Sequence, residues 1–268
     1  MIDTAAERQP QLLEQIRRAQ TRARRLFRLK FAFVWIAILV GLVALFASTD
    51  NVDIEWIRTW TPFILGGAGI TILVCLSAIV LATALALAGA LGRLSSNPYA
   101  YGLASFYVSL VRGTPLIVQI YIIFFSLPSV GIILPAIPAG IIALGFNYGA
   151  YMTEIFRAGI QAVSRNQTEA AQALGMPGRL TFRRIVVPQA VRIVTPAIGN
   201  EFIAMIKDSA LVSIIGVNEV LWRAETSGRP RLNTLEAFII AAAIYWGLTI
   251  IFSFFQERLE KRMARGDR

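Results

Sequence analysis

Charged side chains occur inside several long apolar stretches of this sequence. Glu154, Glu201 and Asp208 are carboxylates in such stretches, and Arg112 and Lys207 are cations in two of them. Carboxylates can act as general acids or bases in an enzyme, whereas ionisable groups at membrane depth mark the paths of polar solutes. The enzyme hypothesis is the weaker one, because the chain has no histidine, only 1 cysteine and no evident pair of nucleophile and base.

One group of polar residues shares a face of the helix predicted over 139–160. Asn147, Tyr151 and Glu154 are four and three residues apart, the spacing of neighbours on a helix surface. Glu154 can pair with Arg157 at i,i+3 near the inner membrane surface, or it can face a solute path. Asn147 and Tyr151 lie deeper, which favours contact with a polar cavity or another helix.

A second group falls near the end of a helix predicted over 186–206. Asn200 and Lys207 are seven residues apart, as are Glu201 and Asp208, so each pair is stacked two turns apart on adjoining faces. Two interpretations remain open. Lys207 pairs with a neighbouring carboxylate and holds a discontinuous helix in place, or the four residues line a path for a zwitterionic solute.

An arginine next to helix-breaking residues interrupts the apolar stretch 99–127. Gly113 loosens the helix and Pro115 removes a backbone donor, so we expect a kink or a break there. Arg112 either extends to the cytoplasmic interface or faces the interior of a helix bundle as a functional charge.

Composition places the chain among helical membrane proteins. It has 268 residues, 56% of them hydrophobic and 16% charged, with a mean hydropathy of +0.62. Of the 26 Lys and Arg residues, eight lie in 1–30 and five in 257–268. Both clusters flank apolar segments, which predicts cytoplasmic termini and disfavours nucleic-acid binding as the reason for the net charge of +10. Cys75 lies in an apolar run, where a structural role is expected.

The apolar segments predict an all-α membrane protein with about six transmembrane helices. We place these helices at 31–48, 62–92, 99–127, 139–160, 186–206 and 236–255, with a partly polar half-helix at 213–226. The predicted divisions are a basic cytoplasmic segment (1–30), an extra N-terminal helix with its outer loop (31–61), a core transmembrane domain (62–256) and a basic cytoplasmic tail (257–268). For 1–30, a short amphipathic helix on the membrane surface and a disordered tail are both open.

A polar, basic segment at 161–187 separates two of the apolar segments and has helix start and stop signals. Ser164 or Asn166 can cap a short helix, which Gly175 ends before Pro177. The result is a helical hairpin on the cytoplasmic side. It is either a solvated loop or a docking surface, whose alanines would allow close approach of a partner backbone.

The spacing in this hairpin favours the docking surface. Glu169-Ala170-Ala171, three residues, Gly175, nine residues and Ile-x-Val-Pro188 resemble the EAA loop of the membrane subunits of bacterial ABC importers. In that family the loop is a coupling helix that sits in a groove of a cytoplasmic ATPase. The resemblance implies a docking role for Glu169, Ala170, Ala171, Gly175, Arg179, Arg183 and Pro188.

Two further motifs are similar to the subgroup of these importers that takes up polar amino acids. They are Arg112-Gly-Thr-Pro-Leu, followed by Gln119, and the run from Gly149 to Gln161. The resemblance implies a five-helix permease core plus one N-terminal helix. Our candidates for the substrate pathway are Arg112, Gln119, Asn147, Tyr151, Glu154, Asn200, Glu201, Lys207 and Asp208.

The resemblance also implies the rest of a transport complex in the bacterial inner membrane. The expected partners are ABC ATPase subunits, a second permease copy (identical or a sister chain), an extracytoplasmic amino-acid-binding protein and membrane lipid. No Gly-x-x-x-x-Gly-Lys-Ser/Thr motif occurs, so ATP and Mg are expected to be used by the ATPase. We expect no catalytic residue, metal site or cofactor in this chain. The alternatives are a permease for another small polar solute and, less favoured, an intramembrane enzyme.

Overall fold

The computed structural model describes residues 3–48 and 52–264, and within them every regular element is helical. The predicted all-α membrane class is confirmed. Residues 49–51 of the predicted outer loop and 265–268 of the predicted tail lie outside the described residues. The chain divides into two compact units, Met1–Ile54 and Glu55–Arg268.

In the first unit the described residues before 52 form the helix α1, over Asp3–Ala47. Its 45 residues correspond to about 67 Å at 1.5 Å per residue, more than twice the hydrocarbon thickness of a bilayer. The part over Gln20–Phe46 is long and apolar enough to cross a membrane. The sequence predicted a separate short helix or a disordered tail ahead of residue 31, but α1 continues across that position without interruption.

The second unit begins with a helix where an outer loop was predicted. This helix, α2, spans Ile54–Leu65 and buries Trp56 and Ile64. The predicted helix over 62–92 therefore starts earlier than expected. Gly66 keeps a helical backbone between α2 and α3 (Gly67–Arg93), so Ile54–Arg93 is one helical stretch of 40 residues. The carbonyl of Phe63 near this junction accepts a hydrogen bond from Nη1 of Arg223 (2.9 Å).

The remaining long helices follow the predicted order. They are α4 (Pro98–Arg112), α5 (Leu116–Tyr121), α6 (Ala136–Gln161), α9 (Val187–Asp208) and α11 (Thr234–Ala264). By length and apolarity three helical stretches in the described chain could cross a membrane, and the bent pair α4–α5 makes up to four. Six crossings require α6 and α9 as well. These two are long enough, at about 39 and 33 Å, but carry more polar residues.

The centre of the second unit is the contact between α3 and α6. One face of α3 is fully buried and mostly small, comprising Val74, Cys75, Ala78, Ala82 and Ala86. On α6, a Cβ added at Gly145 would lie 2.7 Å from Leu81, and one at Gly149 would lie 2.6 Å from the hydroxyl of Tyr107. The Gly145-x-x-x-Gly149 motif therefore allows the close packing that holds helices together within a membrane.

The predicted half-helix over 213–226 consists of two pieces. A 3₁₀ segment, Ser209–Ile215, ends at the left-handed Gly216, and α10 starts at Val220 and runs to Gly228. The two pieces are joined by a short non-helical link that ends at a fully buried carboxylate, Glu219.

Glu219 joins three helices, and we call this junction the Glu219 corner. Its Oε1 accepts from the backbone N–H of Trp222 (2.9 Å), which caps α10. Its Oε2 accepts from Oγ1 of Thr71 on α3 (3.4 Å) and from the hydroxyl of Tyr245 on α11. Gly67 packs directly against this corner, since a Cβ there would lie 2.7 Å from the backbone of Glu219.

Candidate functional site

The chain breaks between α4 and α5 at the predicted position. Arg112 ends α4, and Pro115 has an extended backbone (ψ 139°) as the cap of α5. Because a proline has no N–H and keeps its preceding residue out of the helical region, the hydrogen-bond ladder cannot cross this point. The chain bends by 106° between the two helical stretches Pro98–Arg112 and Leu116–Val130.

The buried side-chain amide of Gln119 forms hydrogen bonds with backbone carbonyls at the break. Nε2 of Gln119 lies within hydrogen-bond distance of the carbonyls of Val111 (2.8 Å) and Thr114 (3.2 Å). Its Oε1 accepts from Nδ2 of Asn147 on α6 (3.2 Å). Gln119 and Asn147 are both buried. Gln119 therefore stabilises the break and ties it to α6.

The break forms one wall of a cavity of about 560 Å³. The other walls come from one face of α6 and from the end of α9. The lining residues are Arg112–Leu116 of the break, Asn147, Tyr148 and Tyr151 of α6, and Glu201 and Asp208 of α9. The cavity thus brings together five of the nine predicted pathway residues, namely Arg112, Asn147, Tyr151, Glu201 and Asp208.

Two of the three charged groups that line this cavity contact aromatic side chains. The guanidinium of Arg112 lies over the ring of Tyr151, 5.1 Å from its centroid. The hydroxyl of Tyr148 donates a hydrogen bond to Oδ2 of Asp208 (2.8 Å). Tyr148 was not among the predicted site residues, although a tyrosine one turn before Tyr151 on a polar helix face is a signal that could have identified it.

Glu154 lies outside the cavity and forms an ion cluster instead. Its Oε2 is 2.7 Å from Nη2 of Arg157, one turn along α6, and its Oε1 is 3.2 Å from Nε of Arg93 at the end of α3. Of the two interpretations that the sequence left open, the structure contains the ion pair. These ion pairs join α3 to α6, and the role of Glu154 in the substrate pathway stays a prediction.

Asn200 and Lys207 also lie outside the cavity. Asn200 is exposed and accepts a hydrogen bond from Nε2 of Gln256 on α11 (2.9 Å). Lys207 is exposed, and among the described residues it forms no salt bridge with Glu201 or Asp208. The adjoining faces of α9 thus have different surroundings, and only the Glu201–Asp208 face lines the cavity.

The predicted hairpin is present and ends its first helix as expected. Helix α7 spans Arg165–Ala173, and Gly175 adopts a left-handed backbone with φ 78°. The N–H groups of Gly175 and Met176 bond to the carbonyls of Gln172 (2.9 Å) and Ala171 (3.0 Å), a Schellman arrangement. Ser164 occupies the cap position at the start of α7, but its side chain makes no capping hydrogen bond.

The exposed surface of the hairpin differs from the prediction in two residues. Glu169, Ala170 and Gly175 are exposed as expected, whereas Ala171 is buried. Leu174, which the sequence analysis did not select, is 84% exposed. We define the hairpin face as Glu169, Ala170, Leu174 and Gly175, together with the exposed arginines Arg179 and Arg183.

Helical structure runs without a break from the hairpin to the cavity. It begins with α8 (Gly178–Thr181), continues through a π turn (Phe182–Val186) and passes into α9. The π turn ends two residues before Pro188, whose ring would clash with the preceding turn of a regular α-helix. The hairpin arginines and the cavity carboxylates are thereby carried on one helical segment.

A family model matches residues 78–265 of this chain, which include the break, the cavity and the hairpin. It describes the binding-protein-dependent transport system inner membrane component. The chain belongs to this family of transport permeases. The permease is therefore a transport component rather than an enzyme, which excludes the intramembrane-enzyme alternative. As a family member it is an inner-membrane, multi-pass protein that works with a partner ATPase and a binding protein.

Individual relatives support the same assignment. The permease is 37% identical over 219 residues to the arginine transport system permease protein ArtQ of Bacillus subtilis, covering 81% of this chain and 100% of ArtQ. It is 38% identical over 209 residues to the L-cystine transport system permease protein TcyB of the same organism, covering 78% of this chain and 89% of TcyB.

Solved structures share the fold. A crystal structure of an amino acid ABC transporter with histidines is 39% identical, with a TM-score of 0.75 over 79% of this chain and 99% of that chain. The inward-facing MetNI methionine ABC transporter, at 16% identity and a TM-score of 0.61, has the same fold over 79% of this chain and 99% of that chain. Within the part of the permease that the structure describes, no group of three or more Cys, Asp or Glu could hold a metal ion.

Proposed function

We infer that this permease subunit moves polar amino acids into the cell through the cavity between the break and α9. The observation that carries this function is the set of charged groups that line the cavity, one guanidinium and two carboxylates. A zwitterionic head has one group of each sign, and such heads are bound in transporters by polar groups at discontinuous helices. The relatives, named for arginine and cystine transport, are consistent with a solute of this class.

The hairpin face is proposed to dock onto the ATPase. It combines exposed small and apolar residues with a carboxylate and two arginines, which can fix orientation by charge-assisted hydrogen bonds. The ATPase binds ATP and Mg, and its closure moves the hairpins of two permease subunits, identical or sister chains, within the lipid bilayer. The continuous helical segment from Gly178 to Asp208 transmits that movement to the cavity.

The proposed topology places the hairpin and both termini in the cytoplasm and the amino-acid-binding protein on the outer side. Six crossings give termini on the same side, and the basic residues near both ends favour the inner side.

The test is transport by the complete complex in liposomes, with the ATPase inside and the binding protein outside. We expect ATP-dependent uptake of labelled amino acids, and competition among arginine, histidine, glutamine and glutamate will rank them. Uptake of a non-amino-acid solute, such as a sugar or an inorganic anion, with no uptake of any amino acid would contradict the proposal and support the alternative of another small polar solute.

A further inference from the structure

The basic part of α1 has no role in the proposed function. The family match covers residues 78–265 and so does not include α1. Residues 17–30 of α1 contain seven Arg and Lys residues, and no Asp or Glu occurs from 15 to 49. Because helical ion pairs form between residues three or four apart, α1 itself provides no carboxylate partner for any cation after residue 18.

Three of these arginines lie on one face of α1. Arg24, Arg25 and Arg28 follow Thr21 at the three- and four-residue spacing of neighbours on a helix surface. Together the four residues line a groove of about 420 Å³, and all of them are exposed. In the described part of the chain no salt bridge involves these arginines. We call this feature the arginine groove.

The position of the arginine groove along α1 corresponds to the headgroup region of a bilayer. The apolar run begins at Phe31, and the three arginines precede it by about 5 to 11 Å along the helix axis at 1.5 Å per residue. The headgroup region extends about 5 to 8 Å beyond the hydrocarbon core on each side. Arginine side chains are long enough to reach into this region from just beyond it.

Aromatic side chains next to the groove support the same depth. Phe27, Phe31 and Trp35 are four residues apart, and their rings follow one another along α1 with centroid distances of 6.4 and 5.8 Å. All three side chains are exposed. Exposed aromatic rings, Trp above all, are typical of the membrane–water interface. The rings therefore mark the level at which α1 enters the membrane.

We propose that the arginine groove binds the phosphodiester headgroup of an anionic phospholipid in the cytoplasmic leaflet. Its guanidinium groups donate charge-assisted, bidentate hydrogen bonds to the phosphate oxygens. The net negative charge of the lipid also compensates cations for which the helix has no partner. A zwitterionic lipid has the same phosphate but adds an ammonium group, so it binds less tightly. The leaflet follows from the proposed topology, whereas the binding itself does not depend on the transport function.

The other end of α1 disfavours a cytosolic polyanion, such as RNA, as the ligand. Residues 3–16 extend away from the apolar run, and they contain three carboxylates (Asp3, Glu7 and Glu14) but only one arginine, Arg8. A surface for a soluble polyanion would be expected to carry its positive charge there, away from the negatively charged lipid surface. The positive charge of α1 is instead concentrated next to the membrane.

The test compares two lipids that differ only in headgroup charge. We would purify the permease–ATPase complex in a neutral detergent and measure lipid binding to the full-length permease by native mass spectrometry. The probes are phosphatidylglycerol and phosphatidylcholine with the same acyl chains. We expect phosphatidylglycerol to bind about tenfold or more tightly, as the attraction between basic residues and anionic lipid predicts.

A triple variant assigns this preference to the groove. Arg24→Gln, Arg25→Gln and Arg28→Gln together keep residues of good helix propensity and remove three charges. We expect the phosphatidylglycerol affinity to fall about tenfold, with the phosphatidylcholine affinity unchanged. Co-purification of the ATPase reports whether the variant folds and inserts, and the wild-type comparison decides the matter if it does not.

The matched control removes the same charge from the basic end of α11. It combines Arg258→Gln, Lys261→Gln and Arg262→Gln. There Lys261 pairs with Glu257, and Arg258 lies over the ring of Phe254, so these cations already have partners in the chain. The control should therefore keep the wild-type preference for phosphatidylglycerol.

Four outcomes would overturn the proposal. Equal affinity of the wild-type permease for the two lipids would do so without any variant. Equal losses in the two triple variants would indicate attraction to the total charge and not to the groove. Displacement of the lipid by excess inorganic phosphate would assign the groove to a free phosphate. Tighter binding of RNA than of phosphatidylglycerol would assign it to a cytosolic polyanion.

Discussion

The hydroxyl of Tyr148, on α6, donates a 2.8 Å hydrogen bond to Oδ2 of Asp208, the last residue of α9. This bond connects the buried core of the permease to the cavity wall, since the ring of Tyr148 packs in the same core cluster as the α3–α6 contact. It also fixes the carboxylate at the point where α9 gives way to the 3₁₀ segment. Asp208 is thus positioned before any substrate arrives.

Removing this hydroxyl should weaken transport more than stability. Tyr148→Phe keeps the buried ring and loses one hydrogen bond, which contributes about 1 kcal/mol to stability. We expect a complex that assembles normally, with KM for uptake raised several-fold because Asp208 is no longer oriented. Tyr151→Phe is the control, because it keeps the ring beneath Arg112 and removes a hydroxyl without a hydrogen-bond partner in the described chain. Equal effects of the two variants would contradict an orienting role for Tyr148.

The left-handed conformation of Gly175 makes it the most sensitive position of the hairpin turn. Gly175→Ala places a Cβ where φ is 78°, which costs about 1 to 2 kcal/mol, although no atom lies near enough to clash. We expect the hairpin to be distorted and the ATPase to co-purify poorly, with membrane insertion unchanged. Gly178→Ala is a close control, since Gly178 also has open space around its Cβ position but no positive φ. ATPase retention in Gly175→Ala equal to that in Gly178→Ala would count against the docking role.

Leu174 offers a test of the hairpin face that leaves the fold intact. Because its side chain is 84% exposed, Leu174→Asp should not change the melting temperature of the isolated subunit. Burial of a leucine side chain in a partner is worth about 1.5 to 3 kcal/mol, so ATPase affinity should fall at least tenfold. Leu232, 90% exposed and far along the chain in the turn before α11, provides the control. If Leu232→Asp releases the ATPase and Leu174→Asp does not, the hairpin face has been placed wrongly.

The ion cluster around Glu154 should matter for stability and not for substrate choice. Glu154→Gln leaves Arg93 and Arg157 without their carboxylate in a partly buried site, which we expect to lower the free energy of unfolding by about 1 to 3 kcal/mol. The exposed pair of Glu257 and Lys261 supplies a control, and Glu257→Gln should have no measurable effect. Thermal melting and amino-acid competition should be measured together, because a changed substrate preference in Glu154→Gln would return this residue to the pathway.

The positions of the helix breaks could be predicted from local chemistry, but their angles could not. Pro115 removes a backbone donor and Gly113 weakens the helix before it, so an interruption between α4 and α5 could be predicted from the sequence. The angle of 106° depends on partners from elsewhere, including the amide of Asn147 that bonds to Gln119. Helix α2 was missed for another reason. Trp56, Trp60 and Ile64 recur at helical spacing, but the charges of Asp53, Glu55 and Arg58 indicated an outer loop.

The pathway residues show a similar limit. Helical spacing placed Asn200 and Lys207 on one face of the helix and Glu201 and Asp208 on the adjoining face. Spacing cannot say which face meets a cavity, because that depends on where α6 and α11 pack. Gln256 of α11 contacts one face of α9 through its hydrogen bond to Asn200, and the adjoining face lines the cavity.

The Glu219 corner has a consequence for how the permease changes shape. One carboxylate binds α3, α10 and α11 at once, and its partners are the buried side chain of Thr71, the hydroxyl of Tyr245 and the backbone of Trp222. Separating these helices would remove the hydrogen-bond partners of the Glu219 carboxyl group, and no water would replace them. The Glu219 corner should therefore stay intact throughout the transport cycle. The ends of the helices far from this corner should then move relative to it.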